Sequence, residues 1–342
     1  DRTMKTKFAI GCLVQWYEAE IIEEYAISLL DAIKSYDGEV IVDFHVTTNE
    51  DLEKPVSAEK MKYCEQKIKS AMAILGVDTK IKISCKLVTI ADYRRRFNTR
   101  YCNKVDVLMW GESDSLIPRQ TFQVLDILHQ GIKDKNPKYL SFFGTCKMWD
   151  DSWKVLEHPD FTDKPFIDHT DDSDKWWSLK YTMNKEEMDN INEGVEDLDV
   201  RVVSPHKFNG CGLVISSEVI KAGVNIPKSV FFVHEDTAFQ HMTNRVLGNI
   251  PQYVIKNILL VHNRKHPKKR MYVQGEDMNL SMQGRREASD WYLTAHQMSE
   301  ANCYNLFNPN WKSFTWEDAR RPEYKDYAFS EAVKRQRKER NG

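Results

Sequence analysis

The sequence predicts an α/β fold in which a mostly parallel central sheet is flanked by helices, within a single large domain that carries an insertion. Two observations support this prediction. Apolar segments with strand character alternate with segments of helical periodicity up to residue 145, a rhythm typical of parallel sheets. The rhythm then breaks over residues 146–207, which begin as an acidic, aromatic stretch with little periodicity. A long irregular segment in a compact domain is usually a lid or a binding insertion.

The first half of the chain contains four predicted strands and three predicted helices. The helix over 18–36, for example, places Ile22, Ala26, Leu29 and Ile33 on one face. In chain order, the strands are predicted at 7–14, 39–47, 80–89 and 105–110, and the helices at 18–36, 57–75 and 118–132. Ligands bind such sheets beyond the carboxyl ends of the strands, so residues that directly follow a strand are candidate site residues.

The second half is predicted from fewer signals. A glycine-bearing strand is expected at 208–220, and an apolar run from residue 230 is expected to form a strand that ends at His234. A helix should follow with Asp236 or Thr237 as its N-cap and Gly248 as its stop. Residues 253–270 are an apolar run that ends in a basic turn, and the charged end, 330–342, is expected to be a solvated helix or tail. These boundaries divide the chain into 5–145, 146–207, 208–300 and 301–342.

Composition excludes several classes of protein. Hydrophobic residues make up 41% of the 342 residues and charged residues 29%, which are globular values. The formal net charge of -2 excludes a generally basic polyanion binder, so a nucleic-acid surface would have to be local. Seven cysteines without a CxxC pair argue against a disulfide framework or a structural zinc site. No apolar run reaches the roughly 18 residues of a membrane span and no basic-then-apolar leader is seen, so we expect a cytoplasmic protein without a membrane partner.

Two acidic pairs follow predicted strands. Glu112 and Asp114 flank Ser113 directly after the strand over 105–110, and their spacing suits a divalent cation that also coordinates a diphosphate. The alternative is a simple turn, because Asp and Ser are common ahead of a helix. Glu235 and Asp236 form the second pair, for which helix capping is the alternative. A late histidine, His262, follows the apolar segment ILLV and offers an imidazole ligand.

The ordered set of segments resembles the glycosyltransferases of the A-type (GT-A) fold, whose centre reads strand, DxD, helix. The segments that carry the resemblance are GCLVQWYEAE, VTTNED, YRRRFNTRYCN, ESD followed by an apolar residue and proline, NGCGLVIS, HEDTAFQ and LLVHN. They span roughly residues 5–265 in order. The sequence departs from the family pattern in two places, because Glu112 replaces the first Asp and the 146–207 insertion has no counterpart.

The resemblance implies a Rossmann-type sheet and a metal-dependent transfer of sugar from a nucleotide-sugar, most simply a UDP-sugar. Residues 5–145 would be the nucleotide-sugar-binding half, 208–300 the acceptor and catalytic half, and 301–342 a C-terminal extension. Glu112, Asp114 and His262 would hold Mn²⁺ or Mg²⁺. Asp236 would be the base of an inverting displacement, with Glu235 its alternate or an acceptor-orienting residue. The donor would contact the following residues: Gln15, Trp16, Tyr17, Glu18, Thr48, Arg94, Arg95, Asn98, Glu112, Ser113, Asp114 and Gly210.

Some of these roles have plain alternatives. Trp16 and Tyr17 either stack on the base of the donor or form the edge of the core. The arginines at 94, 95, 96 and 100 either bind phosphates or form a solvated face.

The acceptor is less determined. The basic segment 262–270, with tryptophans of the insertion available to stack, suits DNA that carries hydroxymethylated bases, as in viral DNA modified in a host cytoplasm. The alternative is a lysine-rich loop that offsets the acidic insertion, and protein or small-molecule acceptors stay open. Two other classes also stay open, namely a metal-dependent nucleotidyltransferase and a catalytically silent nucleotide-binding module. The oligomeric state has no sequence signal.

Overall fold

The structure is a computed structural model that describes residues 4–48, 57–76, 79–146, 182–203, 210–265, 291–321 and 338. Within these residues ten strands form one sheet. The strands are β1 (Phe8–Gln15), β2 (Val40–Thr47), β3 (Thr79–Ser84), β4 (Val107–Trp110), β5 (Ser115–Leu116), β6 (Leu140–Cys146), β7 (Thr182–Met183), β8 (Val200–Val203), β9 (Val214–Ser216) and β10 (Gln252–Asn263).

The described helices differ widely in length. They are α1 (Ile22–Lys34), α2 (Ala58–Ala73), α3 (Ile90–Tyr101), α4 (Thr121–Ile132), α5 (Lys185–Glu193), α6 (Ser217–Lys221), α7 (Glu235–Leu247), α8 (Tyr292–Tyr304) and α9 (Trp316–Arg320), and a 3₁₀ helix (Trp16–Glu20) follows β1. None of the helices in the described part of the chain combines the length and the apolar character needed to cross a membrane.

The strand order is β3-β2-β1-β4-β9-β6-β10-β5. Neighbours from β3 to β4 are parallel, and β6 is parallel to β10. Strand β9 lies antiparallel between β4 and β6, and β5 closes the order antiparallel to β10. The predicted fold class, an α/β domain with a mostly parallel sheet and flanking helices, is therefore confirmed.

The core has two layers because successive residues of a strand face opposite sides of the sheet. Along β1, Phe8 and Ile10 pack into a cluster that includes residues of α1, α2 and α4. Their neighbours Ala9 and Leu13 pack instead with residues of α3, α6 and α7. All of these β1 side chains are buried, so β1 and its neighbours are the rigid centre on which the strand ends are positioned.

The structure corrects several predicted elements of the second half. The strand expected from residue 230 to His234 is wrong, because no strand forms there. Helix α7 begins at Glu235 with His234 as its N-cap, so neither Asp236 nor Thr237 caps it. Phe231 packs against a small core built from α8 and α9, which buries the apolar run outside the sheet. The glycine-bearing strand expected at 208–220 is limited to β9 and continues as α6.

Other differences concern boundaries and missed elements. The helix expected over 18–36 is split into the 3₁₀ helix and α1, and β3 ends at Ser84 rather than at residue 89. Helix α3 and strand β6 had no sequence prediction. The end of the predicted insertion holds β7, α5 and β8, of which both strands pair with β10. The rest of the insertion from residue 147 and almost all of the charged end, 330–342, lie outside the described residues.

Candidate functional site

The turn that carries Glu112 and Asp114 directly follows β4, at the carboxyl end of the parallel strands. Gly111 starts the turn and donates its N–H to the carbonyl of Gly11 at the same height on β1, at 2.8 Å. A Cβ atom on Gly111 would lie 2.3 Å from the Tyr25 hydroxyl, so only glycine fits this close approach. The sheet thus places both carboxylates where ligands of parallel sheets bind.

Strand β10 brings His262 to the same turn. Its antiparallel pairing with β5 places His262 opposite Ser115, and Asn263 donates its N–H to the Asp114 carbonyl at 2.8 Å. The His262 Nε2 atom lies 3.8 Å from a Glu112 carboxylate oxygen and 3.9 Å from an Asp114 oxygen. The structure therefore brings the three predicted metal ligands together from two distant parts of the sequence.

The donor set suits a divalent ion. Two carboxylates supply hard oxygens and one imidazole supplies nitrogen, a combination typical of Mn²⁺ and acceptable to Mg²⁺. His262 and Asp114 are buried, whereas the Glu112 side chain is 22% exposed and faces the open side. Cys211, which the sequence reasoning missed, lies with Glu112 and His262 such that their ligand atoms are all within 4.8 Å of one another. Cys211 has no motif of its own, and only the position after Gly210 in NGCGLVIS pointed to this segment.

Two further predicted residues tie this turn to the end of β1. Glu18 lies in the 3₁₀ helix after β1 and is buried, and the Ser113 hydroxyl donates a hydrogen bond to its carboxylate. The contact joins the first predicted donor segment to the acidic turn.

Arg94 connects the two acidic pairs. This fully buried guanidinium donates to Glu235 at 2.7 Å and to Glu112 at 3.2 Å, and it lies over the Trp110 ring at 4.8 Å. A Cβ atom on Gly210 would lie 2.3 Å from the Arg94 Nη1 atom, which explains a glycine there. The arrangement gives Arg94 a bridging role between protein carboxylates, and its predicted phosphate contact stays a prediction.

The second acidic pair opens α7, but its two members have different surroundings. Glu235 is buried, and this burial, together with the charge of Asp236 and against the opposing charge of Arg94, raises the pKa of Glu235 to about 7. Asp236 is only half-buried, and one of its oxygens accepts the N–H of Thr237 at 2.8 Å. Of the two, Asp236 is better placed to meet a substrate, whereas Glu235 is held by Arg94.

Comparison with known proteins gives neighbours only among solved structures. The chain is similar to S. aureus TarS 1-349 in complex with UDP, at 11% identity, 91% coverage of this chain, 76% of that chain and a TM-score of 0.42. It is similar to the mannosyltransferase PcManGT from Pyrobaculum calidifontis in complex with GDP-Man and Mn²⁺, at 12% identity, coverage of 97% and 70%, and a TM-score of 0.44. It is also similar to glucosyl-3-phosphoglycerate synthase from Mycobacterium tuberculosis in complex with Mg²⁺ and UDP, at 12% identity, coverage of 79% and 78%, and a TM-score of 0.38. No protein-family model matches the sequence, and no curated protein matches it.

The other residues predicted to contact the donor, at the ends of β1 and β2, are buried or half-buried. Trp16 and Tyr17 are both buried in the main core with their rings 5.8 Å apart, which favours the core-edge alternative. Gln15 is half-buried at the end of β1. Thr48 is buried after β2 and donates its N–H to the Ser84 carbonyl at 3.1 Å.

Two polar residues of α3 have structural partners. Arg95 donates to the carbonyls of Ile226, Pro227 and Val230, and it thereby fixes the loop that leads to α7. Asn98 accepts the indole N–H of Trp110 at 3.0 Å. Both residues therefore hold neighbouring parts of the site in place. A direct donor contact for either one stays a prediction.

A separate groove of about 710 Å³ lies between α3 and the face of β2 and β3. Its floor holds the buried carboxylate of Asp43, which accepts hydrogen bonds from the hydroxyls of Tyr93 and Tyr101 at 2.6 Å each. Five exposed cations line its sides, namely Lys80, Lys82, Arg96, Arg100 and Lys104. Within the described part of the chain only Arg100 has a carboxylate within 4.0 Å, that of Asp43. The groove is therefore a concave, positively charged surface that the sequence reasoning did not find.

One histidine in this groove is strongly perturbed. Burial, reinforced by the nearby charge of Lys82, lowers the pKa of His45 to about 4. Its Nε2 atom lies 3.0 Å from the Ser84 hydroxyl. His45 is therefore neutral near pH 7 and adds hydrogen bonding, not charge, to the groove.

Proposed function

We propose that this chain is a metal-dependent glycosyltransferase that moves a sugar from a nucleoside-diphosphate sugar, a UDP-sugar in the simplest case, to an acceptor hydroxyl. The observation that carries the proposal is the meeting of Glu112, Asp114 and His262 at the carboxyl end of β4. A divalent ion held by these residues would supply positive charge to a departing diphosphate, which is a poor leaving group while its charge is uncompensated.

The protein side chains have separate roles in this reaction. The acceptor oxygen attacks the anomeric carbon, the bond from that carbon to the diphosphate oxygen breaks, and the nucleoside diphosphate leaves. Asp236 takes the proton of the acceptor hydroxyl, because it is the more accessible acid at the start of α7. With Asp236 as the base, the reaction is a single displacement with inversion of configuration at the anomeric carbon.

Arg94 and Glu235 act as positioning residues. Their 2.7 Å ion pair fixes the start of α7, and the second contact of Arg94 fixes Glu112 relative to it. A buried guanidinium that donates to two carboxylates suits this task because its planar donors have fixed directions. Arg94 thus links one proposed metal ligand, Glu112, to Glu235, the residue that directly precedes the proposed base.

The proposed acceptor is a hydroxymethylated base in DNA. The described part of the basic segment 262–270 supports this weakly, because Arg264 contacts Glu187 at 3.1 Å and His262 and Asn263 are buried. The charged groove supports it better, since it runs along the same helix as Arg94 and offers cations to a phosphate backbone. A cytoplasmic location belongs to the same proposal.

The test of the activity is a panel of nucleotide-sugars with Mn²⁺ or with chelator, scored by release of nucleoside diphosphate. One donor should turn over with the metal, and Asp114→Asn should abolish its turnover. The exposed Asp134 provides the matched control, since Asp134→Asn should leave the rate unchanged. Release of pyrophosphate from nucleoside triphosphates would instead indicate a nucleotidyltransferase. Nucleotide binding without turnover, insensitive to Asp236→Asn, would indicate a binding module.

The acceptor is tested with duplexes that contain hydroxymethylated or unmodified bases. Transfer should require the hydroxymethyl group, and Lys82→Glu with Arg96→Glu should weaken DNA binding and flatten its dependence on salt. Transfer to protein or small-molecule acceptors in place of DNA would overturn the DNA assignment and leave the transferase assignment intact.

A further inference from the structure

A second cluster of metal-ligating side chains lies outside the site described above, where α8 meets the start of α7. His234, His296 and Glu300 offer ligand atoms that are all within 4.8 Å of one another. The His234 Nε2 atom is 3.6 Å from a Glu300 carboxylate oxygen, and the two imidazole rings are 5.3 Å apart at 79°. All three residues are half-buried, so an ion could reach them from solvent.

The fold brings these three residues together by regular means. His296 and Glu300 are four residues apart on α8, so they share one face of that helix. The same helix holds the loop before α7, because the Ser299 hydroxyl accepts the N–H of Phe232 at 3.2 Å and donates to the carbonyl of Val233 at 2.7 Å. His234 is the next residue of this anchored loop.

The backbone at His234 is the second, independent observation. Its φ of 66° and ψ of 20° lie in the left-handed region, and among the described residues it is the one non-glycine with positive φ. This conformation costs a side-chain-bearing residue roughly 1–2 kcal/mol and persists where the surroundings impose it, often at ligand clamps. Histidine is among the few non-glycine residues that are enriched in this conformation, and the turn places its imidazole beside His296 and Glu300 of α8.

We propose that His234, His296 and Glu300 form a zinc site. Two imidazoles and one carboxylate are a common three-ligand set for Zn²⁺, which leaves a fourth position for water or substrate. Tetrahedral zinc with bonds of about 2.1 Å holds its ligand atoms about 3.4 Å apart, close to the 3.6 Å between His234 and Glu300. The remaining ligand atoms lie within 4.8 Å of one another.

The two metal sites should differ in selectivity. The site at Glu112 offers two carboxylates and one imidazole, which suit Mn²⁺ or Mg²⁺, whereas two imidazoles favour zinc. Zinc bound at His234 would clamp α8 to the residue that directly precedes Glu235 and Asp236. The ion would thus connect the C-terminal helices to the proposed base.

The experiment measures zinc on the full chain after dialysis against ZnSO₄ and gel filtration, by elemental analysis. The variants are His296→Ala and Glu300→Gln, with His241→Ala as a matched control because His241 lies on α7 outside the cluster. We expect the wild type and His241→Ala to retain one zinc per chain and both cluster variants to lose it. Cobalt substitution should give the visible absorption of a tetrahedral ion in the wild type and not in the cluster variants.

The outcome is independent of the transferase proposal, because Asp114→Asn should keep its zinc even where donor turnover is lost. If circular dichroism shows that His296→Ala does not fold, His296→Gln replaces it. Zinc should raise the melting temperature of the wild type and leave that of His296→Gln unchanged. A wild type that retains no zinc, or folded cluster variants that retain as much as the wild type, would overturn the site and reduce it to a His–Glu ion pair.

Discussion

Replacing Arg94 with methionine should be among the most destabilising single changes in this protein. The substitution keeps the length of the side chain but leaves Glu235, which is buried, without its 2.7 Å partner and removes the 3.2 Å contact to Glu112. Breaking a buried ion pair on one side costs about 3–5 kcal/mol where the remaining charge persists. Because the pKa of Glu235 is already raised to about 7, its carboxyl takes up a proton instead, and we expect a loss of about 1–3 kcal/mol from the buried groups left unpaired. The lost contact with the Trp110 ring adds about 0.5–2 kcal/mol.

The assay is urea unfolding followed by circular dichroism, with the stability taken from the midpoint and slope. Arg96→Met on the same helix is the control, and it should change stability by less than about 0.5 kcal/mol because Arg96 is exposed. The double variant with Glu235→Gln should lose less stability than the sum of the two single variants, since it removes the carboxyl that has lost its partner. A loss below about 1 kcal/mol in Arg94→Met, or strictly additive losses in the double variant, would refute the ion-pair reasoning.

Three further changes probe the supporting structure. Gly210→Ala should lower the free energy of unfolding by about 1–3 kcal/mol and remove most donor turnover, because its methyl group would displace Arg94. Gly131→Ala is the control, since it has open space around it and should be neutral or stabilising when both variants are compared in thermal melts. The lowered pKa of His45, about 4, means that the folded state binds fewer protons than the unfolded state between about pH 4 and 6.5. Stability should therefore fall by on the order of 1–2 kcal/mol as the pH drops through that window, after discounting for solvent, and His45→Asn should lack this slope in pH-dependent melts. Asp43→Asn should cost about 1–3 kcal/mol in urea unfolding, because an amide offers one acceptor oxygen to two buried phenols; an unchanged midpoint would contradict the hydrogen-bond geometry.

The sequence predicts those parts of the fold in which apolar residues recur with a regular period. Strands β1, β2 and β4 and helices α1, α2 and α4 follow from apolar runs and amphipathic spacing, and the acidic turn at Glu112 follows from its place after β4. Helix α3 was missed because its buried side mixes Tyr93 and Phe97 with the polar Arg94 and Asn98, which hides the apolar stripe. Strand β6 was missed because a short apolar run has no decisive period.

Other features depend on long-range contacts that leave no local signal. The ion pair of Arg94 with Glu235 joins residues 141 positions apart. The apolar run before His234 has strand composition, but packing against α8 decides its conformation instead. His262 was predicted from its place after an apolar run and from its order in a family pattern, not from any local signal of its neighbours. Its actual neighbours depend on the two-residue strand β5, which no periodicity predicts.

The central claim is that Glu112, Asp114 and His262 hold a divalent ion against a nucleoside diphosphate. Calorimetric titration of UDP into the protein, with Mn²⁺ and with chelator, tests it most directly. We expect binding with Mn²⁺ that disappears with chelator and is lost in Asp114→Asn and in His262→Gln, while Asp134→Asn binds as the wild type does. UDP that binds equally well without metal and in both site variants would contradict the claim.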